Sequence, residues 1–462
     1  MNFDKLWICA FFVLIALWTV VLISTIALAS RNVLIDRDVD LSIVTLIPVG
    51  FTVVYFFLWI FMYSVYFLTF SKVKNRQVQA QKVHSTMRYL GQELCSIIIP
   101  ARNEVSVIRR TISSCLDQSY TNIEVLVIAH NSDDGTYEEV RKMSDPRVKA
   151  FDFKTKETGK GLALNFGVEQ AKGKYILIVD ADGIIMKDFL ENAMPLFSDG
   201  RYIAVQGRFI SSNRNYNLLT RMLSLEDDLW SPAYMTVRSF FGGRCPLAGT
   251  GFIIKKDTLL EAGGFGSGLV DDYELSFRLS RQKKKLTYAP LSVIYDEKPP
   301  SLNSMFRQRA RWAKGFINLL NQRIAEPADI VGHLIWLNPI ATMMGLFMLV
   351  LIGYASIHNL LFEYYPFTFS YLPMNIWFLT VLVLYSLEVM VIVKQYGSKG
   401  LRIAAHLPIY LLFSQYFLLV TVKGFFVKSW GNTKTAHGFT VETDMQEILS
   451  EVKQTRGGPQ ER

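Results

Sequence analysis

The residues best suited to chemistry in this chain are two acidic pairs and an arginine–tryptophan cluster, met in a fixed order. Asp180-Ala181-Asp182 comes first, Asp271-Asp272 second, and Gln308-Arg309-Ala310-Arg311-Trp312 third. Carboxylates spaced like Asp180 and Asp182 can hold a hard divalent ion, because Mg2+ takes one or two carboxylates together with substrate phosphates. A carboxylate such as Asp272 can take the proton of an attacking hydroxyl. Arg311 offers a planar fork to a diphosphate, and the ring of Trp312 offers a flat face to a sugar. Each part also has an ordinary reading. Asp and Gly build capped turns, and Arg-Trp clusters anchor helices at bilayer surfaces.

Three apolar runs would position these groups. Leu94–Ile99 is continuous and ends at Pro100-Ala101-Arg102-Asn103-Glu104, as a buried parallel strand entering a loop and helix reads. Val125–Ala129 and Tyr175–Val179 repeat the pattern, with amphipathic helical stretches between. That alternation predicts an α/β sheet with helices on its faces. Ligands bind beyond the carboxyl ends of such strands, and Arg102, His130 and Asp180–Asp182 all fall there. Lys160, in Gly159-Lys160-Gly161, either faces the same crevice or is a solvated lysine at a helix start. Leu247-Ala248-Gly249-Thr250-Gly251 lets backbone approach a ligand closely, or forms a strand-end turn.

The 462 residues are 50% hydrophobic with a net charge of +9, which disfavours a purely soluble chain. Leu6–Ser30 and Leu41–Ser71 lack charge, and each exceeds the roughly 20 residues that cross a bilayer. Leu334–Ile357 is also uncharged, and Tyr371–Val393 carries only Glu388. These are four expected spans. Ile403–Val422, with His406, Pro408 and Gln415 inside and lysines at both ends, reads better as an interfacial or re-entrant helix. Lys72, Lys74, Arg76 and Lys82 crowd the start of the polar region, which predicts a cytoplasmic working domain. The expected organisation is therefore 1–71, two spans; 72–331, the working domain; 332–427, further membrane helices; and 428–462, a cytoplasmic tail. Cys9, Cys95, Cys115 and Cys245 have no metal spacing and are expected as reduced thiols.

The ordered set resembles the family 2 glycosyltransferases, and in particular their membrane-embedded processive branch of cellulose, chitin, hyaluronan and poly-N-acetylglucosamine synthases. The matching elements are Ile99–Glu104, Asn131–Thr136, Lys160–Gly167, Asp180-x-Asp182, Val270-Asp271-Asp272 and Gln308-x-x-Arg311-Trp312. The resemblance implies an α/β GT-A-type domain, a mixed and mostly parallel sheet with helices on both faces, inserted between transmembrane helices. It further implies an inverting, processive enzyme that polymerises a nucleotide-activated hexose or N-acetylhexosamine into a β-linked exopolysaccharide and moves it across the plasma membrane. A non-processive lipid glycosyltransferase shares much of the motif set, and a catalytically silent scaffold is the alternative of another class.

By the same resemblance Asp272 is the general base and Asp182 holds Mg2+ or Mn2+. Arg102, Glu104, His130, Lys160, Asp180, Gln308 and Arg311 face the nucleotide-sugar, while Gly249, Thr250, Asp271, Trp312 and Trp430 face the acceptor. The expected partners are a nucleotide-sugar donor, a growing glycan and the lipid bilayer, with room for export or regulatory subunits and none for nucleic acid. Two positions depart from the family pattern. His130 stands where an Asp is usual, which leaves uridine recognition open, and Asp271 stands where a Glu is usual. Trp430, in a loop similar to the family's gating segment, reads equally as an interfacial anchor. Glu388 either lines a glycan path or sits at the cytoplasmic headgroups near Lys394, the second reading being preferred.

Overall fold

A computed structural model describes residues 42–86, 93–321, 357, 360–362, 371–414 and 416–427. The expected span Leu6–Ser30, nearly all of Leu334–Ile357, and the tail with Trp430 lie outside the described residues. The chain divides into two compact units, Met1–Leu68 with Pro327–Val422, and Thr69–Glu326 with Lys423–Arg462.

In chain order the elements are α1 (Ser42–Thr86), β1 (Cys95–Ala101), α2 (Ile108–Leu116), β2 (Ile123–His130), α3 (Thr136–Arg141), β3 (Val148–Phe153), α4 (Lys160–Gln170) and β4 (Tyr175–Ile178). There follow β5 (Ile184–Ile185), α5 (Phe189–Ala193), β6 (Ala204–Ser211), α6 (Leu218–Phe240), β7 (Phe252–Lys255), α7 (Lys256–Glu261), α8 (Asp271–Arg281), β8 (Leu286–Asp296) and α9 (Leu302–Asn321). The last are α10 (Tyr371–Tyr396), α11 (Gly400–Ala404), α12 (Leu407–Phe413) and α13 (Tyr416–Phe425).

The eight strands form one sheet in the order β3-β2-β1-β4-β7-β6-β8-β5. Strands β3, β2, β1 and β4 run parallel. Strand β7 is antiparallel to both β4 and β6, β6 runs parallel to β8, and β5 is antiparallel to β8. The sheet is mixed, as expected. The chain leaves β1 toward β2 and later returns to β1's other side as β4. That reversal opens a crevice beyond the carboxyl ends of β1 and β4.

Alternation along the parallel strands explains why both faces are covered. Ile97, Ile99, Val125, Val127 and Leu177 share a core with Ile108, Ile112 and Cys115 of α2 and Phe189 of α5. Ile98 and Ile128 point the other way, toward α4. There a Cβ on Gly167 would stand 2.6 Å from Ile98 Cγ2, so only glycine lets this helix sit so close. Cys95, Cys115 and Cys245 are buried free thiols.

Two apolar runs sit in the elements as follows. Helix α1 does not stop near Ser71 but runs on to Thr86, so Lys72, Lys74, Arg76 and Lys82 belong to the same helix as the apolar run before them. Gln77 explains the extension. Fully buried, it bonds Asn192 O at 2.9 Å, Ser292 Oγ at 3.2 Å and Leu291 N at 3.0 Å, fastening the polar end of the helix to the sheet unit. The run Ile403–Val422 is broken into pieces of α11, α12 and α13. Among the described residues, Val54–Lys82 and Leu379–Ala404 are long and apolar enough to cross a membrane. Glu388 of α10 is buried, 6% exposed.

Candidate active site

The crevice is walled by loops that cross-tie one another. After β1, Asn103 takes the left-handed backbone (φ 59°), and after β2 so does Asn131 (φ 51°), a conformation asparagine tolerates better than most residues. Ser132 Oγ accepts from Asn103 N at 3.1 Å, Asn103 Oδ1 accepts from Asp133 N at 2.9 Å, and Thr136 Oγ1 accepts from Glu104 N at 2.9 Å. The two strand ends therefore form one rigid wall. Arg102 is exposed on it and Glu104 half-buried.

His130 closes the end of β2. It is 4% exposed, its Nε2 lies 2.7 Å from Thr155 Oγ1, and its ring packs on Phe153. Asn131 adds a bond to Thr155 O and accepts from Thr155 N. Burial draws the His130 pKa below its ordinary value, with the Arg102 charge adding to the effect, so the ring is neutral at physiological pH. The sequence put His130 against a ligand. Its visible work is to hold the Thr155–Gly159 loop that leads into α4.

The first residue of α4 links the two halves of the site. Lys160 Nζ donates to Asp180 Oδ1 at 2.5 Å and to Gly249 O at 2.8 Å. Burial opposes its charge, but Asp180, Asp271 and Asp272 outweigh burial and hold its pKa above the ordinary lysine value. Asp180 N in turn donates to Thr250 Oγ1 at 3.0 Å. The Leu247–Gly251 loop is itself fixed by Gln206, fully buried in β6, which accepts from Ala248 N at 2.8 Å and donates to Thr250 O at 3.0 Å. Gly249 has φ +74°, and a Cβ there would stand 3.3 Å from Asp272 Oδ2.

Asp271 and Asp272 open α8, where the helix's free N–H groups favour negative charge. Asp272 Oδ1 accepts from Tyr273 N at 2.9 Å. Burial and the charge of Asp271 nevertheless push the Asp272 carboxyl up to about 7, with Lys160 opposing them. Asp271, 5% exposed, is also raised by burial, and its Oδ2 has no hydrogen-bond partner among the described residues. Arg311 donates from Nη1 to Leu269 O at 3.0 Å. Burial lowers its pKa while Asp271, Asp272 and Asp180 support its charge. Gln308 lies half-buried on α9 just before Arg311 and Trp312. The fold thus brings Lys160, Asp180, Asp271, Asp272 and Arg311, which come from four separate segments, into one electrostatic cluster.

Residues 93–315 match the family model described as Glycosyltransferase like family 2. Over those residues the chain is similar to the family 2 glycosyltransferases. The matched residues include the mixed sheet and the acids at its strand ends. At 29% identity over 228 residues the chain is similar to "Probable glycosyltransferase YdaM" of Bacillus subtilis (strain 168), the match covering 48% of this chain and 54% of that protein. It is 30% identical over 229 residues to "Beta-monoglucosyldiacylglycerol synthase" of Trichormus variabilis, covering 48% of each. It is 25% identical over 222 residues to "Poly-beta-1,6-N-acetyl-D-glucosamine synthase" of Staphylococcus aureus (strain COL), covering 48% of this chain and 54% of that one. The chain spans about half the length of the curated relatives it matches.

The glycosyltransferase domain has a donor set that suits a divalent ion. Asp180 and Asp182 are both partly exposed at the end of β4. Among the described residues no group of three or more His, Cys, Asp or Glu forms a complete cage. Paired carboxylates without a cage fit Mg2+ or Mn2+ arriving with a diphosphate, since such ions keep substrate and water oxygens as ligands. Three positions escaped the sequence reading: Gln206, Thr155 and Arg309. A glutamine inside the apolar strand Ala204–Ser211 was the one available signal, because a polar residue buried in a strand must be hydrogen-bonded.

Proposed function

We propose that this chain is a processive inverting glycosyltransferase, which polymerises a hexose or N-acetylhexosamine from its UDP-sugar into a β-linked glycan. The observation that carries the reading is the place of Gly249 between both sides of the site: its carbonyl accepts from Lys160, which binds Asp180, and a Cβ built on it would stand 3.3 Å from Asp272 Oδ2. One loop thus couples the donor-side carboxylate to the base.

In the proposed step Asp272 takes the proton of an acceptor hydroxyl, and that oxygen attacks the anomeric carbon opposite the diphosphate. The bond from carbon to diphosphate oxygen breaks, the configuration inverts, and an α-linked donor yields a β linkage. A base with a pKa near the working pH suits this transfer. Arg311 and Lys160 supply positive charge where the leaving group gains negative charge. Asp182, with Asp180 beside it, would hold Mg2+ or Mn2+, and the bound ion would neutralise the departing diphosphate. Asp271 turns its unsatisfied Oδ2 to the acceptor, Thr250 supports the loop, and Trp312 gives the acceptor sugar a stacking face. Arg102, Glu104 and Gln308 line the donor side. His130 shapes the wall near the base of the nucleotide.

The apolar segments Val54–Lys82 and Leu379–Ala404 support a membrane setting with a cytoplasmic domain, and export of the polymer follows from that setting. The relative named as a diacylglycerol-linked synthase favours a second reading, transfer of a single sugar to a lipid. Purified chain in nanodiscs, given UDP-glucose, UDP-N-acetylglucosamine, UDP-glucuronate or GDP-mannose with Mn2+ or Mg2+, separates the two by product size. A high-molecular-weight glycan supports polymerisation, while a short lipid-extractable product supports the second reading.

A further inference from the structure

We infer that Arg309 is a positioning residue that fixes the Trp312 ring, and that Glu226 fixes Arg309. The inference rests on the reading of Trp312 as the acceptor's stacking face.

Helix α6 carries Glu226-Asp227-Asp228 in its interior, three consecutive acids in a largely buried helix. Acids are not kept there without partners, and each is met by a cation from another segment. Asp228 pairs with Arg214, Asp227 with Lys298, and Glu226 Oε1 with Arg309 Nη2 at 2.7 Å. The first two pairs brace α6 against the chain before it and the end of β8. The third reaches α9, the helix of Gln308, Arg311 and Trp312. Both partners are buried there, Glu226 3% and Arg309 8% exposed.

Arg309 does more than balance charge. On a helix, residues three apart are neighbours, and the Arg309 guanidinium carbon lies 4.4 Å from the centre of the Trp312 ring. A planar cation at that distance is attracted by the ring and limits its rotation. The ring also packs against the buried cluster of Val270, Phe277 and Leu319. Val270 immediately precedes Asp271 and Asp272. The same turn of chain is gripped twice more by α9: Arg311 bonds Leu269 O, and Gly315 lies so close to Val270 that a Cβ would stand 2.7 Å from either methyl. A buried carboxylate on α6 therefore sets an arginine, which sets the ring, which lies against the turn that carries the base. A tilt of the ring would misplace an acceptor hydroxyl relative to Asp272.

The test uses full-length chain in nanodiscs and tryptophan emission, with Trp312→Phe as the spectral blank. Subtracting the blank isolates the Trp312 signal. Arg309→Lys keeps the charge that buried Glu226 needs but removes the flat guanidinium; Glu226→Gln keeps Arg309 but releases it. The probes are the β-linked tetrasaccharides of glucose and of N-acetylglucosamine for the acceptor side, and UDP for the donor side. Both variants are expected to shift the Trp312 emission without ligand and to weaken tetrasaccharide binding about five- to tenfold, with UDP binding unchanged. An unshifted emission, or tetrasaccharide binding within about twofold of the parent, overturns the inference. So does equal weakening of UDP binding, which would mark a merely structural pair. If parent chain gives no Trp312 response to either tetrasaccharide, the acceptor-platform reading fails, and the unliganded emission still decides whether Arg309 sets the ring.

Discussion

Lys160 binds Asp180 at 2.5 Å while also donating to the Gly249 carbonyl, so the donor carboxylate and the acceptor-side loop share one ammonium. Lys160→Met is expected to reduce kcat/KM by about 100-fold, or about 2.7 kcal/mol, because Asp180 loses its partner and the loop its tether. The same change removes a cation beside the carboxylate pair, so Mn2+ titrated into the variant should bind more tightly than to the parent. Weaker Mn2+ binding would place Lys160 outside this electrostatic cluster.

Asp272 sets the pH dependence. Its carboxyl is pushed up to about 7 by burial and by Asp271, and a base must be ionised, so kcat/KM should rise with pH and level off above about 7. Asp271→Asn removes the neighbouring charge and should move that limb about one pH unit lower. Folding responds with the opposite sign. The folded carboxyl keeps its proton between the ordinary value of 3.8 and about 7, where the unfolded chain has lost it, so stability falls as pH rises through that window. Asp272→Asn should therefore raise Tm relative to the parent at pH 8 and leave it level at pH 3.5, as thermal unfolding at both pH values would read.

Gly249 has little room for a side chain. Gly249→Ala meets a left-handed backbone, costing about 1–2 kcal/mol, and places a methyl 3.3 Å from Asp272 Oδ2. Stability should fall by that small amount while kcat falls about 100-fold. A variant that keeps more than about half of the parent kcat would show that the loop is not held against the base.

Asp182→Asn should raise the Mn2+ concentration needed for half-maximal turnover by at least about tenfold, and chelation should abolish turnover of the parent until Mn2+ or Mg2+ is restored. Turnover that survives chelation would remove the ion from the account.

Strands β1, β2 and β4 were legible because Leu94–Ile99, Val125–Ala129 and Tyr175–Val179 are apolar without interruption, as strands buried on both faces must be, whereas β3, with Lys149 and Asp152 inside it, was not. Strands β6 and β8 were not. Gln206 interrupts the first, Pro290 and Ser292 interrupt the second, and their pairing shifts register between Gly207 and Arg208. The acids and Arg311 could be singled out by residue type and order, but their shared electrostatics depend on four segments that only the fold brings together. His130 could be placed beyond a strand end, but its partner Thr155, 2.7 Å from Nε2, lies on the loop after β3 and could not be read from the local sequence. Arg309 and Glu226 sit on different helices, so nothing in either local sequence announces their pairing. The continuation of α1 to Thr86 was not legible because the loss of apolar residues after Ser71 marks a change of surroundings, not of backbone.

The central claim is that Asp272 is the base of a sugar transfer, and the most direct measurement compares Asp272→Asn with the parent in nanodiscs at pH 8, using whichever UDP-sugar the parent turns over. The account predicts product formation reduced by at least about 1,000-fold with UDP-sugar binding kept within about twofold. Product formation within tenfold of the parent would contradict it.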